Sequence, residues 1–276
     1  MEYQILTDKI IIKDFRDFNI EHILECGQIF TYKKLDKLCY EVYSKDKFAL
    51  VEFDNNEYII KTKNPEYFVE FFDLNTDYSK IKKDLSIDKN MIDAINYGYG
   101  IRILKQDILE VIIGFIISAN NNIERIKGIM KKLREFGVNN GNYYSFPTLE
   151  QLSNITEQQF KQIGAGYRAK YLVNVIKQLK LTDLNQTYLY DTKTLKQWLL
   201  SLCGVGPKVA DCILLFGYNR SQSFPVDTWI EKVYIDIFKI KKSREQMSID
   251  LVNYFKHLSG YAQQYLFFYK RNFVDI

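Results

Sequence analysis

The feature that most narrows the fold is a change of rhythm near Asp93. Before it, short runs of β-branched and aromatic residues succeed one another: Lys9 to Lys13, Ile29 to Lys33, Tyr40 to Ser44, Phe48 to Phe53 and Tyr58 to Thr62. The last two flank Asp54-Asn55-Asn56, residues suited to a hairpin turn. Strands in such succession, with no helix between them, call for an antiparallel sheet. From about Asp93 the apolar residues fall at helical spacing instead, as in Ile123, Ile126, Met130 and Leu133, with Gly137 as the expected stop. Thr156-Glu157-Gln158-Gln159 has the form of a capping box, and Gly164 and Gly166 punctuate the segment after it. Further helices are expected at Leu195 to Leu202, Lys208 to Phe216, Trp229 to Phe238 and near Ser259 to Tyr269. The expected fold is α+β: an antiparallel-sheet domain over residues 1–92, then a larger, mostly helical domain over 93–276.

Several function classes fall away on composition. The 38 basic and 34 acidic residues leave a net charge of +4, which by itself does not mark a nucleic-acid binder. Met1 to Gln4 lacks the charged start and apolar run of a secretory signal. The most apolar stretch, Ile108 to Ala119, is broken by Glu110 and falls short of the roughly 20 residues that cross a bilayer. It is expected to be a buried helix of a cytoplasmic protein. Cys26, Cys39, Cys203 and Cys212 stand at no metal-site spacing, and none comes after Cys212 to complete a C-terminal iron–sulfur cluster. The two histidines, His22 and His257, argue against triad chemistry and histidine-rich metal sites. Lysine, carboxylate, or both remain.

The stretch Leu202-Cys203-Gly204-Val205-Gly206-Pro207-Lys208-Val209-Ala210-Asp211-Cys212 carries the most chemistry. An apolar helix runs into a glycine-valine-glycine turn, and Pro207 opens the next helix, where its missing N–H costs nothing. Glycines let a ligand approach the backbone, and the free N–H groups at a helix start suit an anion such as a phosphate. Lys208, on the first turn, is read in two ways. As a plain contact it meets a phosphate. As a nucleophile, its neutral amine attacks C1′ of a deoxyribose, displaces the base and forms an iminium that permits β-elimination. Asp227 lies 19 positions on (227 − 208), behind Pro225-Val226 and ahead of a helical pattern. It reads as an N-cap, and a cap can also face a reacting sugar and stabilise its positive charge.

On these residues, Leu202 to Asp227 resembles the helix-hairpin-helix, Gly-Pro-Asp-type motif of base-excision DNA glycosylases. The resemblance implies that Lys208 is the Schiff-base lysine of a bifunctional glycosylase/lyase and Asp227 its aspartate. It implies phosphate contacts at Gly204, Val205, Gly206 and Val209, and a monovalent cation held by the carbonyls of Leu200, Leu202 and Val205. No redox cofactor, divalent metal or iron–sulfur cluster is implied.

Three further stretches are similar to the 8-oxoguanine branch. Cys26-Gly27-Gln28-Ile29-Phe30 looks like its glycine-glutamine-x-phenylalanine segment. The resemblance assigns the Gly27 carbonyl to the proton that oxidised guanine carries on N7. Normal guanine would leave two acceptors facing each other, a loss of about 1–3 kcal/mol. Gly260-Tyr261-Ala262-Gln263-Gln264-Tyr265-Leu266-Phe267 looks like its base-pocket helix, with Gln263 for the Watson–Crick edge and Phe267 for stacking against Cys212 on the other face. By default Phe267 would be core and Cys212 a buried helix cysteine. Ser118-Ala119-Asn120-Asn121-Asn122-Ile123-Glu124-Arg125 looks like its triple-asparagine turn. There Asn120 would fill the gap left by the extruded nucleotide, Arg125 and Arg168 would read the orphaned cytosine, and Tyr167 would wedge beside it. Trp229 departs from the pattern, standing where eukaryotic members carry a phosphate-contacting histidine. The implied partner is double-stranded DNA containing 8-oxoguanine; a monomer is the default expectation, cytoplasmic and, in a bacterium, nucleoid-associated. Two rivals stand beside this reading: another glycosylase of the superfamily, removing alkylated or mismatched bases and, if monofunctional, using Asp227 to activate water; and a non-catalytic module using the hairpin for phosphates alone.

Overall fold

The computed structural model describes residues 1–273. Its strands are β1 (Tyr3–Ile5), β2 (Lys9–Ile12), β3 (Tyr32–Asp36), β4 (Cys39–Ser44), β5 (Lys47–Asp54) and β6 (Glu57–Thr62). They form one antiparallel sheet in the order β1-β2-β6-β5-β4-β3. Asn55 and Asn56 take φ of 48° and 64°, the left-handed pair that a two-residue hairpin demands and asparagine tolerates. Alternate residues Ile10, Ile12, Tyr40, Val42, Ala49, Val51, Tyr58 and Ile60 are buried, as period-two patterning requires. Against that face pack α1 (Ile20–Glu25) and α2 (Pro65–Phe71).

The first quarter is therefore not free of helices. Helix α1 intervenes between β2 and β3, capped by the Asn19 side chain on the His22 N–H, and Pro65 opens α2. Ile29 to Thr31 lie ahead of β3 rather than in it, and β1 has no counterpart among the expected runs. Two more helices, α3 (Tyr78–Leu85) and α4 (Lys89–Tyr97), precede or span the expected change at Asp93. They turn away from the sheet: Leu85, Met91 and Ala94 join a core made largely by the last helices of the chain.

A second core is built by α5 (Ile108–Ser118), α6 (Ile123–Arg134), α7 (Leu149–Ser153), α8 (Glu157–Gln162) and α9 (Arg168–Lys180). After α10 (Leu184–Thr187), α11 (Thr192–Ser201) and α12 (Pro207–Phe216) complete it. The third core joins α3 and α4 to α13 (Thr228–Phe238), α14 (Arg244–Phe255) and α15 (Ser259–Asn272). The Thr156 capping box forms as read, with Gln159 reaching back to the Thr156 N–H. Gly137 is not the stop of α6, which ends at Arg134 with Glu135 as its C-cap. It is needed for close approach instead, since a Cβ there would lie 2.1 Å from the Ser145 carbonyl oxygen. Glu110 is buried in α5 and pairs with Arg134 of α6 at 2.8 Å. Burial pushes its carboxyl up to about 7, against the pull of that guanidinium. Among the described residues no helix is long and apolar enough to cross a membrane.

The three cores meet at one short segment. Cys26 belongs to the third, Ile29 to the sheet's and Phe30 to the second. Gln28 holds the junction from inside: its amide donates to the Ile23 and Arg102 carbonyls at 2.8 Å each and accepts from the Leu104 N–H at 2.9 Å. Gln28 is wholly buried, so every one of those bonds is made away from water.

Candidate active site

The glycine turn between α11 and α12 forms as its residues dictate. Gly204 takes φ +85°, and a Cβ there would lie 2.9 Å from Tyr171 Cβ, so only glycine fits without displacement. Pro207 opens α12, and Gly206 precedes it as an uncapped N-cap. The N–H groups of Gly204, Gly206, Lys208 and Val209 find no acceptor among the described residues. Val205 and Val209 bury their side chains in the second core, which leaves only their backbone to face a ligand. This is an anion-ready helix start. Nearby, the Leu202 carbonyl accepts the Val205 N–H at 3.1 Å, while those of Leu200 and Val205 accept nothing from the described residues.

Lys208 is half-buried, with its Nζ 5.6 Å from the centre of the Phe115 ring. Phe115 stacks on Phe216 and meets the edge of Phe30, so the lysine rests on an aromatic floor. One turn further along α12, Cys212 is buried, and that burial pushes its thiol up to about 11. The Lys208 ammonium opposes the shift, and the charges of Asp211 and Asp227 add to it. Cys212 thus feels the charges of both Lys208 and Asp227. Asp227 caps α13 as expected, accepting from the Trp229 and Ile230 N–H groups at 3.0 Å each. Trp229 carries the Lys232 ammonium 4.8 Å from its ring centre.

Gly27 has φ +85° and faces the Phe267 ring: a Cβ there would lie 3.1 Å from Phe267 Cε1. Phe267 is only partly buried in a row where residues 262 to 266 and 268 are buried, unlike an ordinary core phenylalanine. Gln263 is buried with its Oε1 unpartnered among the described residues, an acceptor held without a donor. The carbonyls around Gly27 are nearly all taken. Glu25 accepts from Arg271, Cys26 from Gln264 at 2.8 Å and Gln28 from Gln106 at 2.9 Å. The Gly27 carbonyl alone in that row accepts no bond from the described residues.

The remaining predicted residues gather at a separate turn, between α5 and α6. Asn120 is exposed in the left-handed conformation, φ 51°. Asn122 caps α6 on the Arg125 N–H, so the turn-and-cap reading of this run also holds. Arg125 is exposed and reaches the Gly164 carbonyl at 3.2 Å. Tyr167 is 56% exposed and stands edge-on to Tyr171, the residue packed against Gly204. Arg168 behaves differently from a solvent-facing reader. It is 3% exposed, with Nε donating to the Ala119 carbonyl at 2.8 Å and Nη2 to that of Asn120 at 2.7 Å. In this structure it is the strut of the asparagine turn.

Three residues of the site have no signal in the local sequence: Gln264, Arg271 and Asp211. Asp211 is buried between Lys208 and Cys212 in the chain and pairs with Lys196 at 2.6 Å. Each depends on partners far away in the chain, which no local pattern reveals. A cleft of about 110 Å³ lined by Asp73, Lys105, Asn219 and Tyr261 touches none of the residues above. Among the described residues, no cluster of three or more His, Cys, Asp or Glu is placed to hold a metal ion.

Known proteins resemble the chain over nearly its whole length. The sequence model of the 8-oxoguanine DNA glycosylase N-terminal domain matches residues 10–112, and that of the HhH-GPD superfamily of base excision DNA repair proteins matches 113–256. An N-glycosylase/DNA lyase of Arabidopsis thaliana is 35% identical over 240 residues, which are 80% of this chain and 61% of that protein. One of Saccharomyces cerevisiae is 30% identical over 220 residues, 73% of this chain and 57% of that protein. The chain thus spans less than two thirds of both. A crystal structure of the Clostridium acetobutylicum 8-oxoguanine glycosylase/lyase, in complex with double-stranded DNA containing cytosine opposite 8-oxoguanine, matches with a TM-score of 0.92 at 34% identity. That match covers 99% of this chain and 98% of the other.

Proposed function

We propose, from the fact that this chain belongs to the HhH-GPD superfamily of base excision DNA repair proteins and carries the N-terminal domain of its 8-oxoguanine DNA glycosylases, that it excises 8-oxoguanine from duplex DNA and cleaves the strand. The Gly27 carbonyl, which accepts no bond from the described residues while its neighbours' carbonyls are taken, is the observation that carries this reading. It presents one unpaired acceptor beside an aromatic ring, which suits a flipped base with a proton on N7 and, once the base covers it, penalises one without. The base would lie between Phe267 and Cys212, with Gln263 at its Watson–Crick edge.

The chemistry would run from Lys208. Its neutral amine adds to C1′ as the C1′–N9 bond breaks and the base departs with the bonding pair. The amine gives up a proton, the sugar ring opens, and an iminium joins Lys208 to C1′. Loss of a C2′ proton then expels the 3′ phosphate, and water releases the lysine. Asp227, fixed by two N–H groups at the start of α13, stabilises the positive charge that develops on the sugar. The free N–H groups at the start of α12 would hold the strand's phosphates. A monovalent cation would fit the carbonyls of Leu200, Leu202 and Val205, two of which accept no other bond from the described residues. It would order the hairpin and takes no part in the steps above.

The test is a duplex with one 8-oxoguanine opposite cytosine, incubated with the protein under borohydride. A covalent complex together with strand cleavage is the expected result. Base release without trapping would favour a monofunctional enzyme in which Asp227 activates water. Binding with neither would leave only a DNA-binding module.

Two predictions arise at the residues around the lesion. Gly27→Ala puts a Cβ in a left-handed conformation and 3.1 Å from Phe267. Single-turnover excision of 8-oxoguanine should fall by about tenfold or more, while cleavage at a preformed abasic site stays. Cytosine preference, in our reading, rests on the exposed Arg125 as reader, with Arg168 keeping the turn in place. Arg125→Met should narrow the spread of excision rates across the four opposite bases by the roughly 1–3 kcal/mol of a good base contact. Replacing both arginines should flatten it further, and an unchanged spread would remove this assignment.

A further inference from the structure

Helix α15 grips the turn that precedes β3 at three successive positions. Arg271 Nη2 donates to the Glu25 carbonyl, Gln264 Nε2 to that of Cys26 at 2.8 Å, and the Phe267 ring lies against Gly27. The Arg271 guanidinium carbon is also 5.2 Å from the centre of the Phe267 ring, so one cation touches both the turn and the aromatic surface. Its Nη1 is buried without a partner among the described residues and lies 3.2 Å from where a Cβ at Gly27 would stand. An apolar side chain would avoid leaving that donor unpaired, so packing alone does not account for an arginine here.

We infer that Arg271 is a positioning residue for base selectivity. It sets the separation of the Gly27 carbonyl from the Phe267 ring by holding the backbone two residues before the one and the face of the other. Its own position is set by helix geometry: Gln263, Phe267 and Arg271 recur every four residues and share one side of α15. A shift of the turn by a fraction of an ångström would weaken the bond to the lesion more than it weakens stacking, because hydrogen bonds are steep in geometry and stacking is not. This inference rests on the substrate proposed above.

The experiment compares the wild-type protein with Arg271→Leu and Arg271→Lys on two duplexes, one with 8-oxoguanine opposite cytosine and one with a preformed abasic site. Single-turnover excision of the base should fall about tenfold or more in Arg271→Leu, with abasic-strand cleavage within about twofold of wild type. Arg271→Lys keeps the charge and the reach to Glu25 but loses the planar face, and should lie between. It also carries the test if the leucine variant does not fold. Both activities falling together would show a merely structural residue, and neither changing would show no role; either overturns the inference. Wild-type protein that cleaves the abasic duplex but leaves 8-oxoguanine untouched would instead overturn the substrate on which it rests.

Discussion

Lys208→Gln will lower base excision and strand cleavage by roughly 10³-fold or more, the scale seen when a covalent nucleophile is removed, and will abolish borohydride trapping. The variant should fold as well as the wild type. Lys208 is only half-buried, occupies the first turn of α12 and makes no salt bridge among the described residues. A cation at a helix N-terminus opposes the helix dipole, so its loss costs nothing there and gains at most about 0.3–1 kcal/mol. Binding separates the two roles considered for this lysine. A mere phosphate contact would show as weaker binding and a salt slope smaller by about one, with activity restored at saturating DNA. A nucleophile would show lost activity that no DNA concentration restores. The second pattern is expected, because Lys208 is half-buried with its amine over the Phe115 ring rather than extended into solvent.

Arg102→Met should be the most damaging substitution for stability, at about 4 kcal/mol, the range for breaking a buried charged network. Arg102 is wholly buried. Its guanidinium donates to the carbonyls of Phe72 and Asp17 at 3.0 Å each, to that of Thr76 at 2.9 Å and to that of Asp73. It also lies 4.0 Å from the centre of the Tyr78 ring. Methionine fills much of the volume but donates nothing, leaving those carbonyls desolvated and unpaired. Urea midpoints of the two proteins measure the difference. A change under about 1 kcal/mol would mean that water or backbone rearrangement replaces those bonds.

Both predictions concern residues whose meaning is unequally visible in the chain. Lys208 and Asp227 stand in a local pattern: a helix, a glycine turn, a proline start, then an aspartate ahead of another helix. Each part is a backbone preference that acts within a few residues, so it can be read in one dimension. The hairpin of Asn55 and Asn56, the capping box at Thr156 and the cap at Asp227 are legible for the same reason. The short helices α1 to α3 escape the pattern, because one or two turns offer too few residues for periodicity to register. Arg102 looks like any surface arginine, since its acceptors come from Asp17 and from residues 72 to 76.

The sequence by itself determined the antiparallel sheet and the helical remainder, which rest on local propensity and spacing, while Lys208 and Asp227 were singled out by the resemblance that their local pattern carries. Tertiary structure alone decided that helices α3 and α4 join the last helices rather than the sheet, and that Arg168 braces the asparagine turn. It alone decided that α15 takes the carbonyls of Glu25 and Cys26, that Gln106 takes that of Gln28, and that Gly27 between them is left open. The reason is physical: hydrogen-bond satisfaction and burial are properties of atoms brought together from distant parts of the chain. Nothing in residues 25 to 28 records what residues 106, 264 and 271 will do to them.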